Sequence, residues 1–164
     1  MKHWIYEKIL LLVAGLLLLI VLLWALIPSL QTTTFLYPAL GSALGLSYFV
    51  LKQHLEEVRL FKELFSSFNE RFDRMNGPLF DILECPLEQE LSNEEKKLLF
   101  DYFNLCAEEY LYYRKGFIYR EVWQAWRNGM RVFSDCPRIR KLWEKELAAN
   151  SYYGFKLPCG CSSQ

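Results

Sequence analysis

Apolar positions along the chain change their period several times, and each change marks an element. Ile9 to Ile27 (ILLLVAGLLLLIVLLWALI) is a run without charge. As a helix rising about 1.5 Å per residue it reaches roughly 30 Å, the thickness of a bilayer's hydrocarbon core. A second uncharged stretch follows from Thr32 to Leu51 and has about the same reach. Its Pro38 falls in the first turns, where a missing N–H costs little. Pro28-Ser29-Leu30-Gln31 joins the two, so the pattern predicts a transmembrane hairpin with spans over 9–27 and 32–51. Beyond Leu51 the period becomes that of an amphipathic helix. Leu51, Leu55, Val58, Phe61, Phe65, Phe68, Phe72 and Met75 recur every three or four residues, while charged residues occupy the other faces. The second span is therefore expected to continue as one long helix, stopped at Gly77-Pro78 and followed by a short element, Leu79 to Cys85.

Three more helices are legible. Ser92-Asn93-Glu94-Glu95 is a capping box, and Leu98, Leu99, Tyr102, Phe103, Cys106, Tyr110 and Tyr113 carry the helix on to Gly116. The next covers about Tyr119 to Phe133, with Val122, Trp123, Trp126, Met130 and Phe133 inward. The last starts at Pro137, a favoured first helical residue, and turns Ile139, Leu142, Trp143 and Leu147 inward. The tryptophans are expected to close one core against the phenylalanine stripe. No period-two alternation occurs, so the expected class is all-α: a two-helix transmembrane hairpin (1–51) continuing into a small cytosolic helical bundle (52–150), then an irregular tail (151–164).

A secretory signal would also explain a basic, apolar N-terminus. However, signal cores are shorter, at about 7–15 residues, and end in a small-x-small cleavage site that Trp24-Ala25-Leu26-Ile27-Pro28 does not offer. Lys2 and Lys8 flank the first span and Lys52, Arg59 and Lys62 follow the second, while the loop between has no Lys or Arg. The positive-inside rule then places both termini in the cytoplasm of a multi-pass protein of the cell inner (plasma) membrane. Five cysteines, an odd number, suit a reducing compartment.

Gly41 and Gly45 form a GxxxG pair in the second stretch, with Ala39, Ala43 and Ser47 on a neighbouring strip. Small residues at this spacing let helices approach closely. The simpler role is packing against Ala14 and Gly15 of the first span; the alternative is association of protomers into a homo-oligomer. Charge is zero overall but unevenly spread: nine acidic residues against two lysines over 81–109, then eight basic against two acidic over 114–141. Arg120, Arg127 and Arg131 share one face of a Trp-bearing helix and, with Arg114, Arg138 and Arg140, make a candidate interaction face. Such a face suits anionic lipid or nucleic acid. The simpler account is that the acidic and basic blocks pair with one another, at contacts worth little each.

Candidate chemistry is sparse. The only histidines, His3 and His54, flank the apolar stretches, so a histidine-based triad in the helical domain is excluded by composition. No GxGxxG, P-loop or HExxH occurs. The adjacent pairs Glu94-Glu95 and Glu108-Glu109 point to different helix faces. Cys159 and Cys161 would need Cys85, Cys106 or Cys136 from a distance to complete a zinc site, so no metal or cofactor is expected.

FDYFNLCAEEYLYYRKGFIYREVWQAW and PRIRKLWEKE, within Phe100 to Glu146, carry an acidic-aromatic helix, a Gly-Phe-Ile turn, a Trp-containing helix and a Pro-x-x-Arg-x-x-Trp start. In these features the chain resembles an uncharacterised bacterial family of small proteins with N-terminal transmembrane spans and a helical cytosolic domain. That resemblance implies a fold and no activity. The expectation is a non-enzymatic membrane anchor or interaction module, in contact with the bilayer and a protein partner at the cytoplasmic face. The alternative is a tethered binder of nucleic acid or anionic lipid that uses the Arg/Trp face.

Overall fold

An apolar run without proline satisfies its own backbone in an apolar medium as a helix, and α1 spans Lys2–Leu26. Four more helices follow: α2 Thr33–Glu84, α3 Asn93–Arg114, α4 Arg120–Ser134 and α5 Pro137–Leu147. The computed structural model describes residues 2–26, 33–86, 88–147 and 151–158, and among these the class is all-α, with no strand. Ile27 to Thr32, with the Pro28–Gln31 connection, and Cys159 and Cys161 lie outside the described residues.

The chain divides into two compact units, Met1–Arg59 and Leu60–Gln164, with α2 contributing its first part to one and its remainder to the other. In the first unit, the Tyr6 and His54 rings meet at 4.2 Å. Most of α1 is exposed, Leu11 and Leu12 at 71% and 72%. Among the described residues it is the one helix long and apolar enough to cross a membrane, over Lys8–Leu26. One candidate span thus stands where the sequence predicted two, and the two-span transmembrane hairpin is not supported. In the opening part of α2, Pro38, Gly41, Ser42, Gly45, Ser47 and two tyrosines dilute the leucines, though Leu44, Leu46 and Phe49 are exposed there.

The second unit holds the core. Leu79, Leu99, Phe103, Ala107 and Ile139 are fully buried, and the remainder of α2, together with α3, α4 and α5, surrounds them. The expected stop at Gly77-Pro78 is overturned, for α2 runs through it to Glu84 and absorbs the separate short element. An interior proline costs a helix about 3 kcal/mol. Burial of Leu79 and Ile82 just beyond it supplies compensation, at roughly 1.5–3 kcal/mol per apolar side chain.

The helix ends are built locally, as the sequence implies. Ser92 Oγ accepts from the Glu95 N–H at 3.1 Å, and the Ser92 N–H donates to the Glu95 carboxylate at 2.6 Å. Gly116, at φ 78°, closes α3 in a Schellman turn: its N–H donates to Tyr113 O at 2.9 Å and the Phe117 N–H to Tyr112 O at 3.0 Å. Pro137 opens α5, whose first backbone bond runs from the Arg140 N–H to Cys136 O at 3.0 Å.

The aromatic core departs from its expected form. Trp126 does pack on the stripe, stacking 5.9 Å from Phe65 and edge-on 5.8 Å from Phe68, but it stays partly exposed. Trp123 and Trp143 turn elsewhere. Trp123 stacks on Tyr113 at 5.2 Å, and Trp143 meets Phe103 at 4.7 Å and Tyr152 at 4.8 Å. Phe155 touches both indoles, at 6.1 Å and 5.6 Å. Over its described part the tail carries no helix or strand, and Tyr152, Phe155 and Leu157 in it are core residues. The Ser134 hydroxyl bonds to Pro158 O and anchors it.

Candidate functional site

Three features stand apart from plain packing: the small-residue strips of α2, the basic face of α4, and a cleft between α2, α3 and α4. On α2 the neighbouring strip faces inward. Ala43 is buried, Ala39 and Ser47 are partly buried, and the Ser47 hydroxyl donates to Ala43 O at 2.8 Å. Gly41 and Gly45 are exposed, and a methyl group built on either would meet nothing within 4 Å. Gly15 is equally open.

The basic block separates into two populations. Arg120, Arg127 and Arg131 are exposed along α4 and show no ion pair among the described residues. Arg114 is exposed too, its guanidinium 5.7 Å from the Tyr110 ring centroid. Arg138 is buried, by contrast, and pairs with Glu95 across α5 and α3 at 3.7 Å. Arg140 stays within its own corner, on Ser134 O at 3.0 Å and Asp135 at 3.4 Å. Charge pairing between the acidic and basic blocks is thus carried by Arg138. A second bridge, Arg71 to Glu108 at 2.5 Å and 3.3 Å, comes from α2.

The cleft encloses about 130 Å³, with Phe72 on α2, Tyr102, Cys106 and Glu109 on α3, and Trp126 and Met130 on α4 among its walls. Sequence reasoning passed over Glu109 because it set aside the Glu108-Glu109 pair. The helix sends the two carboxylates to different fates. Glu108 faces Arg71, while Glu109 is 6% exposed and has no hydrogen bond or ion pair among the described residues. Its signal in the sequence was position: Tyr102, Cys106 and Glu109 recur at helical spacing on the apolar face of α3.

Burial disfavours the charged form. It pushes the Glu109 carboxyl up to about 8, with Arg71 opposing and Glu108 adding to the shift. The Tyr102 hydroxyl and the Cys106 thiol are also pushed up, chiefly by burial. A carboxyl whose folded value lies above its ordinary 4.5 contributes stability that is fully present below pH 4.5 and is lost as pH rises through about 8. Thermal unfolding of the protein should therefore show stability falling across that window, by on the order of a few kcal/mol. Glu109→Gln should flatten the fall; an unchanged slope in the variant would remove Glu109 as its source.

Among the described residues no group of three or more His, Cys, Asp or Glu side chains is arranged to hold a metal ion. Cys85 is partly exposed, and Cys106 and Cys136 are buried as free thiols. No protein-family model, curated protein or solved structure matches the chain, so the functional reading rests on this geometry.

Proposed function

We propose that the protein is a membrane-anchored interaction module, without catalytic activity of its own, whose helical unit works at the cytoplasmic face of the cell inner membrane. One observation carries the anchor. The leucines of α1 are exposed along Lys8–Leu26, with none of that span buried in the protein. Water would make so large an apolar surface an aggregation site, whereas a bilayer covers it at no cost. The exposed Leu44, Leu46 and Phe49 of α2 support a second, weaker span and hence the hairpin. With Lys2 and Lys8 before the hairpin and Lys52, Arg59 and Lys62 after it, both ends belong on the cytoplasmic side. The open Gly41/Gly45 strip suits association with a second protomer, since nothing in the described chain occupies it.

The partner-facing surface in this reading is the row Arg120, Arg127 and Arg131, exposed and without an ion pair among the described residues. An acidic protein surface or anionic lipid headgroups suit this row, because either sets negative charge against three exposed guanidinium groups. A reporter fused after Gln164 tests the topology. It should be active as a cytoplasmic fusion and silent as a periplasmic one. The reverse result would mean a single span, or the opposite orientation.

A further inference from the structure

We propose that the cleft between α2, α3 and α4 is a binding site for a small alkylammonium ion, with the Glu109 carboxylate as its counter-charge and the rings of Phe72, Tyr102 and Trp126 as its aromatic walls. Three independent features of the cleft lead there. Its size is the first: about 130 Å³ is close to the cavity of about 150 Å³ that admits benzene, and suits a ligand of roughly five or six non-hydrogen atoms. The second is the wall chemistry. Aromatic rings present a negative face to a cation, and Met130 adds a polarizable sulfur. The third is Glu109 itself, buried and lining the cleft with no hydrogen bond or ion pair among the described residues, Arg71 acting on it only as a nearby charge. A cation entering the cleft supplies the missing partner and recovers the desolvation cost.

The choice of a cation over an anion or a neutral molecule follows from the surrounding charges. On α2, Arg71 is held by Glu108 and turned to that partner. On α3, Tyr102 and Cys106 stay neutral because burial raises both. The α4 residues of the wall (Ala125, Trp126, Gly129 and Met130) bring no titratable group. Asn69 of α2 adds an amide that can orient a polar headgroup. This proposal does not depend on the membrane topology, because every residue named lies within the unit Leu60–Gln164.

Tetramethylammonium chloride is the probe, titrated calorimetrically into the full detergent-solubilised protein at constant ionic strength, with tert-butanol as its uncharged counterpart. The probe has no proton to lose, so any pH dependence belongs to the protein. Near neutral pH the Glu109 carboxyl, with its value at about 8, is mostly protonated. Binding should therefore release close to one proton, seen as a difference in heat between two buffers of unlike ionisation enthalpy. Affinity should rise between about pH 6 and 8 and level off above. Glu109→Gln keeps the shape of the side chain and should weaken binding by about tenfold or more. Saturable binding with proton release and preference over tert-butanol supports the site. Absence of saturation, equal response to tert-butanol, binding without proton release, or undiminished binding by Glu109→Gln would each overturn it. Should the variant fail to fold, the proton release of the unaltered protein decides the matter alone.

Discussion

Trp143→Ala is expected to be the most damaging single aromatic truncation in the helical unit, lowering its stability by about 3–5 kcal/mol. The indole is 3% exposed and meets three rings: Phe103 at 4.7 Å, Tyr152 at 4.8 Å and Phe155 at 5.6 Å. Two of these rings belong to the irregular tail, whose attachment depends on aromatic packing and the Ser134–Pro158 bond. Removing the indole opens a cavity on one side and unseats the tail on the other, so the site cannot simply collapse. A domain of this size has a total stability of about 5–15 kcal/mol. The loss should lower the melting temperature of the protein by more than about 10 °C, and should expose the tail to limited proteolysis. Trp126→Ala, at a half-exposed ring against Phe65 and Phe68, should cost clearly less. A larger loss at Trp126 than at Trp143 would show that the core is organised around the phenylalanine stripe and not around the tail.

Glu95→Ala is the second large effect, expected at about 2–5 kcal/mol, because one side chain serves two structures. Its Oε2 accepts from the Ser92 N–H in the capping box, and its Oε1 faces the buried Arg138 guanidinium at 3.7 Å. Truncation strips the cap from α3 and leaves Arg138 charged and buried with little beyond its 3.4 Å bond to Ile82 O. Arg138 is poorly served even now, since its Nε and Nη2 make no hydrogen bond. Replacing Arg138 itself by Met should for that reason be near neutral or stabilising, as an apolar side chain fits the same burial without the desolvation cost. Denaturant melts of the two variants and of the pair, in a double-mutant cycle, measure this. If Glu95→Ala in the Arg138→Met background costs as much as it does alone, the cap carries the whole effect and the pair contributes nothing.

What was legible in the sequence has a common physical basis, which is that it is decided within about one helical turn. The apolar run of α1, the capping box at Ser92, the Schellman close at Gly116 and the start of α5 at Pro137 all depend on neighbours three or four residues away. The all-α class follows from the same periods. Three matters depended on residues far apart in the chain, and there local signals misled or fell silent. Gly77-Pro78 has the composition of a helix end, yet burial of Leu79 and Ile82 carries α2 through it. The tail has no period to read, because its order comes from Trp123, Trp143 and Ser134 on other elements. Glu108 and Glu109 look alike as a pair; only the positions of Arg71 and the α4 wall make one a half-buried ion pair and the other a buried carboxyl. Periodicity says which face of a helix is apolar, but not what it will meet, since side-chain burial and charge pairing are set by contacts that close only when the helices pack.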